Sequence, residues 1–348
     1  MTRHSRGRDV DTDDGVVHVA SKPMEERSAS EAGLESRGQF RPLLSFVIPA
    51  YNEEKLIPET IEAIQRLVPP LPYEIIVIDN GSTDDTAQVA SKLNATVIMQ
   101  PGGTIGALRN TGVRACAGDV VVFLDADVVL TKQWAERIPT SLEVLRREPR
   151  IVTGAMCGVP SNSTWLERYW FAPRHKASHI GSGHMILTRQ FFHELNGFDE
   201  SIPTGEDYDL SRRAVMAGGR IVPDNALHVE HHGFPRTVRA FVQRESWHGI
   251  GDYRSFRAFT KSKVALLSTA FITLHVTALV SLAAGMMQIA LAAIAVILLL
   301  CSGSSYRQYH RESIRVILFN SAFFWIYYAG RALALIRTVT GKHERGGR

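Results

Sequence analysis

Val120-Val121-Val122-Phe123-Leu124-Asp125-Ala126-Asp127 is the stretch that decides how this chain is read. An unbroken run of five apolar residues, most of them β-branched, fits a strand buried on both faces, as in the middle of a parallel sheet. Two carboxylates at the carboxyl end of such a strand point into the crevice where open α/β sheets bind ligands. Hard oxygen ligands there suit Mg²⁺ or Mn²⁺ bridging to phosphates. Asp-x-Asp also occurs in ordinary solvated turns, so the surrounding sequence has to choose between the two readings.

Working outward, short β-rich runs alternate with helical patterns from residue 44 onward, the signature of a doubly wound α/β domain. Strands are expected over 44–48, 73–79, 95–100 and 119–124, and helices over 53–67, 83–93, 104–115 and 132–147. Ser82 or Thr83 is the expected cap of the second helix, with Asp84 and Asp85 complementing the dipole in its first turn. The second half is less regular, with strands at 151–158 and 183–187, helices at 165–171 and 206–217, and an extended segment at 220–232. The regular first half reads as nucleotide binding and the second as acceptor binding.

The remainder of the chain belongs to a different solvent. Between Lys263 and Arg307 lie 43 consecutive residues without Asp, Glu, Lys or Arg. At about 1.5 Å per helical residue this exceeds one crossing of a bilayer core of about 30 Å, so two helices are expected, 264–284 and 286–302, hinged near Gly285-Met286-Met287-Gln288. A buried helical hairpin in a soluble core is the blander reading of so long an uncharged run. A third apolar stretch, 316–330, reaches Arg331 after 15 residues and resumes beyond it. It spans over about 314–336 with Arg331 snorkelling, or lies in the interface with its aromatic residues at headgroup depth. Spanning is the expectation taken forward.

The first 42 residues mix acidic, basic and small polar residues and read as a disordered segment without a signal-peptide core. Cys116, Cys157 and Cys301 have no metal-ligand spacing and fit a reduced compartment. A net charge of +4 is modest, but seven Lys or Arg between Arg236 and Lys263 face only Glu245 and Asp252. This basic, aromatic-studded segment, 236–263, is expected at the cytoplasmic face against membrane lipids, as is a basic tail over 338–348. Nucleic acid is not an expected partner, because no binding motif accompanies the charge.

Four more clusters line up with the triplet: Pro49-Ala50-Tyr51-Asn52-Glu53-Glu54, Asp79-Asn80-Gly81-Ser82-Thr83-Asp84, Leu108-Arg109-Asn110-Thr111-Gly112 and Gly205-Glu206-Asp207-Tyr208. In this order they resemble the family 2 glycosyltransferases over about residues 44–247, with Ser182-Gly183-His184-Met185 to Gly197-Phe198-Asp199-Glu200 resembling the acceptor-side segment. The family comprises inverting enzymes of the GT-A fold, Rossmann-like with a mostly parallel sheet and helices on both faces. The resemblance therefore implies a GT-A domain over 43–235, followed by an α-helical membrane region over 264–337.

The same resemblance implies roles. Glu53 contacts the donor ribose and Asp79 the nucleobase; Pro49, Tyr51, Gly81, Arg109, Asn110, Asp125 and Ala126 line the donor site. Asp127, with Asp125, holds the metal that offsets charge on the departing diphosphate. Asp207 matches the base that deprotonates the acceptor, and Glu206 would raise its pKa if the two carboxylates share a site. An acidic helix N-terminus complementing the dipole is the alternative reading of that pair. His231 or His232 supplies a ligand to the metal or diphosphate, or both are strand histidines satisfied by neighbours. His184, Arg244 and Trp247 are candidates for the acceptor or diphosphate. Gln243-Arg244-Glu245-Ser246-Trp247 resembles the Gln-x-x-Arg-Trp motif of processive members, but Ser246 stands where they carry arginine, which argues against processivity. An amphipathic interface helix is the competing reading of this segment.

The expected protein is a multi-pass membrane enzyme of a bacterial plasma membrane with its catalytic domain in the cytoplasm. It would move a sugar from a UDP- or GDP-sugar to a lipid-linked or membrane-associated acceptor. The rivals are a processive polysaccharide synthase of the same family, a non-catalytic nucleotide-sugar-binding subunit and a nucleotidyltransferase. The last of these usually has a glycine-rich basic loop after the first strand, where this chain has Tyr51-Asn52-Glu53-Glu54.

Overall fold

The structure, a computed structural model, describes residues 43–68, 70–172, 179–253 and 255–340. The expected disordered segment and most of the basic tail lie outside these residues. The first half alternates as the sequence pattern requires: β1 (Leu44–Ala50), α1 (Ile57–Leu67), β2 (Tyr73–Asp79), α2 (Thr86–Lys92), β3 (Thr96–Met99), α3 (Ile105–Ala115) and β4 (Val120–Leu124). After the triplet come β5 (Val128–Leu130), α4 (Lys132–Arg147), β6 (Ile151–Gly154), a π-helical turn (Glu167–Phe171), β7 (His184–Thr188) and α5 (Arg189–Glu194). Next are α6 (Glu206–Met216), β8 (Arg220–Pro223) and β9 (Val229–His231). Five helices close the described chain: α7 (Val238–Tyr253), α8 (Phe256–Lys261), α9 (Lys263–Ala283), α10 (Met287–Tyr309) and α11 (Ile314–Thr340).

Seven strands form one sheet in the order β3-β2-β1-β4-β7-β6-β8, and β5 pairs with β9 beside it. Only β7 runs against the others, antiparallel to both β4 and β6. The carboxyl ends of β1, β2 and β4 therefore open on one edge, and this is what positions the site. Strand β4 is buried along its whole length because the two faces are covered separately. Val122 and Leu124 face α1 and Trp134 of α4, whereas Val121 and Phe123 face Leu108 of α3 and Phe192 of α5. Each such side chain contributes roughly 1.5–3 kcal/mol on burial. Gly112 lets α3 settle on the sheet, since a Cβ there would lie 2.3 Å from Val47 Cγ1.

Several boundaries differ from expectation for local reasons. Helix α1 starts at Ile57 because residues 51–56 form a turn, with Asn52 at φ 56°. Helix α2 starts at Thr86, whose amide is accepted by Asp84 Oδ1 at 3.1 Å. Ser82 and Thr83 do not cap it; they bond to Asn52 instead. The segment expected as one extended run divides into β8 and β9, which join different sheets. Strand β5 and helix α5 are too short to carry a period and were not anticipated.

Helices α9, α10 and most of α11 (Ile314–Thr338) are each long and apolar enough to cross a membrane. Gly285, left-handed at φ 73°, makes the expected hinge between the first two, and α10 continues past residue 302 to Tyr309. Arg331 does not snorkel. Its Nε lies 3.1 Å from Glu245 Oε2 and its Nη1 3.6 Å from Asp252 Oδ2, both on α7.

Candidate active site

The loops after β1 and β2 are laced together by backbone amides donating to side-chain oxygens. The Asn52 amide donates to Ser82 Oγ at 2.9 Å, the Thr83 amide to Asn52 Oδ1 at 2.8 Å, and the Glu53 amide to Thr86 Oγ1 at 2.8 Å. Asn tolerates the left-handed conformation that this turn needs. Pro49 is buried one residue before the end of β1, Tyr51 is half-buried and Glu53 is buried. Asp79 is wholly buried at the end of β2, and its Oδ1 accepts from the amides of Gly81 and Ser82 at 2.8 and 2.7 Å. Asp79 Oδ2 is also buried and has no hydrogen-bond partner among the described residues. A buried acceptor of this kind is costly alone and suited to an incoming N–H donor. Gly81 turns the chain at φ 79°, where a Cβ would also strike Pro101 at 2.9 Å.

At the end of β4, Asp127 is wholly buried and Asp125 partly exposed. Thr60 fixes the peptide between them by donating to the Ala126 carbonyl at 2.8 Å. Strand β9 brings His231 alongside, with Nε2 3.7 Å from Asp127 Oδ1. Asp125, Asp127 and His231 each offer a ligand atom, and these atoms lie within 4.8 Å of one another. Two hard carboxylates and one borderline imidazole fit a divalent cation such as Mg²⁺ or Mn²⁺. His232 turns elsewhere, its Nδ1 3.0 Å from Glu59 Oε2.

Arg109 is buried between the two walls. Its Nη2 donates to Asp125 Oδ1 at 2.7 Å and its Nη1 to Glu206 Oε1 at 2.8 Å. Glu206 also accepts from Ser182 Oγ at 3.0 Å, so its charge is compensated. Glu206 thereby joins α3 to α6. Asp207, at the start of α6, keeps an exposed edge; Oδ1 accepts from the Tyr208 amide at 2.7 Å, and Oδ2 lies 4.0 Å from His179 Nε2. Gly205 precedes it at φ 88°, which turns the chain into the helix.

Two expected contacts, Asn110 and His184, lie elsewhere. The Asn110 amide nitrogen donates to the Phe198 carbonyl and to Glu200 Oε1 at 2.9 and 2.8 Å, and its oxygen accepts from the Phe198 amide at 2.9 Å. It thus holds the 198–200 loop. His184 is enclosed in the sheet, where Trp134 Nε1 donates to its Nε2 at 2.9 Å, and burial pushes the imidazole down to about 4. Arg244 holds its guanidinium 5.0 Å from the Phe171 ring centre. Trp247 sits one turn before Gly251, where a Cβ would lie 2.9 Å from Thr204, so α7 flanks the loop leading to Asp207.

Sequence reasoning assigned no role to His179 or Phe234, and named Ser182 only as part of the acceptor-side segment. His231 stacks on Phe234 at 4.1 Å and 9°, and Phe234 on Phe171 at 4.3 Å and 13°. The neighbouring Trp170 is packed by Phe241, Phe323 and Phe324 at 5.1–5.4 Å spacings within the same cluster. No local pattern marks this ring stack, because its members come from four separate segments.

Residues 45–194 match the model of glycosyl transferase family 2. Glycosyltransferase AglE of Haloferax volcanii is 28% identical over 193 residues, covering 51% of this chain and 62% of that protein. An uncharacterized glycosyltransferase of Mycobacterium tuberculosis is 30% identical over 188 residues, covering 51% of this chain and 82% of the relative. Among solved structures, a mannosyltransferase from Pyrobaculum calidifontis in complex with GDP-Man and Mn²⁺ shares the fold. Its TM-score is 0.55 at 16% identity, over 87% of this chain and 89% of that one.

Proposed function

This chain belongs to glycosyl transferase family 2, and from that premise we propose that it moves a sugar, with inversion, from a nucleotide-diphosphate sugar to a lipid-linked or membrane-associated acceptor. The observation that carries this reading is the division of the crevice by Arg109: the Asp125, Asp127 and His231 cluster lies on one side and Asp207 on the other. Three long apolar helices follow the same domain, which supports an acceptor held at a membrane.

In this reading Asp79 Oδ2 accepts from the nucleobase and Glu53 holds the ribose. Asp125, Asp127 and His231 would hold Mg²⁺ or Mn²⁺, which when bound offsets the charge that grows on the departing diphosphate. Asp207 takes the proton from the acceptor hydroxyl as that oxygen attacks the anomeric carbon; a phosphate acceptor would arrive already ionised and place less demand on the base. The basic segment before α9 supports a catalytic domain at the cytoplasmic face of its membrane.

The test is transfer from radiolabelled UDP- and GDP-sugars into lipid extracts of membranes containing the protein. GDP-mannose comes first, because it is the ligand of the related fold. Asp207→Asn is expected to lower turnover by roughly 10²–10⁴-fold with donor affinity retained. Wild-type turnover by Asp207→Asn would remove the base assignment.

A further inference from the structure

Length and composition make α11 a third crossing, but its contacts do not. Along one side, α11 touches the catalytic region from near its start to near its end. Asn320 Nδ2 donates to the Tyr169 carbonyl at 2.8 Å, and Phe323 and Tyr327 pack on Trp170 at 5.4 Å each. Gly330 meets α7 at Val242 and Glu245, Arg331 pairs with Glu245, and Gly249 admits Ala334, whose Cβ would lie 2.6 Å from one added there. From residue 320 to 334 a helix rises about 21 Å, which is most of a hydrocarbon core of about 30 Å. A helix running perpendicular to the bilayer would carry α7, with Glu245 and Asp252, down with it. Charged groups at that depth are expensive.

The hairpin of α9 and α10 also meets α11. Its bonds run from the last turns of α10, where Ser304 and Tyr328 share a hydrogen bond at 2.7 Å and Ser305 Oγ donates to the Ile317 carbonyl at 2.7 Å, to the middle of α9, where Trp325 Nε1 donates to His275 Nε2 at 2.9 Å. At the hairpin tip, Leu279, Val280, Met286, Met287 and Leu291 are about half exposed or more. The outward stripe of α11, Ile314, Leu318 and Ile336, is exposed and apolar at helical spacing.

We propose that the chain crosses the bilayer twice, and that α11 lies along the membrane surface as a collar. In this arrangement the catalytic region packs on one flank, the base of the α9–α10 hairpin on another, and lipid covers the outward stripe. Both ends of α11 are then on the catalytic side. The ring-rich segment from Phe319 to Tyr328 sits at headgroup depth, where aromatic side chains are favoured. Arg331 is satisfied by α7 and needs no route to water. The inference concerns only which side each segment occupies, so it stands or falls independently of any transfer activity.

The experiment uses single-cysteine variants of the full chain with Cys116, Cys157 and Cys301 replaced, probed with a membrane-impermeant maleimide on sealed vesicles of each orientation. Thr260→Cys marks the catalytic side and Met286→Cys the hairpin tip. Thr338→Cys is expected to label from the same side as Thr260→Cys, with Met286→Cys labelling from the other. Labelling of Thr338→Cys together with Met286→Cys would establish a third crossing and overturn the proposal. Spin labels at Ile314, Ala322 and Ile336 add a measure of depth: similar oxygen accessibility at all three supports the collar, and a maximum at the middle position contradicts it.

Discussion

Where the loops after β1 and β2 meet, backbone amides and short side chains do the holding; across the crevice, α3 and α6 are joined by one buried guanidinium between two carboxylates. The first wall is set by residues close in sequence to the strand ends. The second depends on groups about 97 positions apart. The donor wall spreads its bonds over several amides and short side chains, whereas the acceptor wall concentrates its charge pairing at one point, Arg109.

The largest expected effect comes from removing that point. Arg109→Met leaves Asp125 and Glu206 uncompensated and should cost about 3–5 kcal/mol of unfolding free energy in denaturant titration. Arg109→Lys should recover only part of it, since an ammonium cannot reproduce the two-ended fork. Next in size is a pH effect beneath the donor wall. His184 is held down to about 4 by burial against an ordinary 6.5, so the unfolded chain takes up a proton that the folded one refuses. Stability is therefore full above pH 6.5 and falls as pH drops toward 4, by roughly 3 kcal/mol in all. His184→Gln should flatten the dependence of unfolding free energy on pH within this window.

How far the sequence carried the reading follows the same division. Strand β4, its acidic end and the apolar helices were all legible, because period and charge act over a few residues, whereas the cap expected at Ser82 or Thr83 was not, since both bond to Asn52 in the loop after β1. Arg109 and Glu206 were recognised as site residues but not as partners of each other, and Asn110 was placed on the donor when it holds the 198–200 loop. Arg331 looked like a charge in need of water because Glu245, its partner, lies on another helix. Partner choice across the fold leaves no local trace; a charged residue in an apolar run says only that something must answer it.

A smaller effect sharpens the contrast at the membrane face. Gly249→Ala gains about 1 kcal/mol of helix propensity, but its Cβ would meet Ala334 at 2.6 Å. Overpacking of about 1–3 kcal/mol should win, lowering the melting temperature in nanodiscs. The smallest expected change is at the donor wall itself. Asp79→Ala should weaken nucleotide binding by roughly tenfold in calorimetry, the value of one or two hydrogen bonds. An unchanged affinity would move the nucleobase elsewhere.

The stack of His231 on Phe234 on Phe171 ends against rings of the membrane-facing cluster. Purification chemistry thereby reaches the catalytic centre. A detergent that intercalates among Trp170, Phe323 and Phe324 competes for the same surfaces that hold the imidazole in place. Activity lost on solubilisation, with secondary structure intact, would then report a loosened seam, and restoring lipid should return it without refolding.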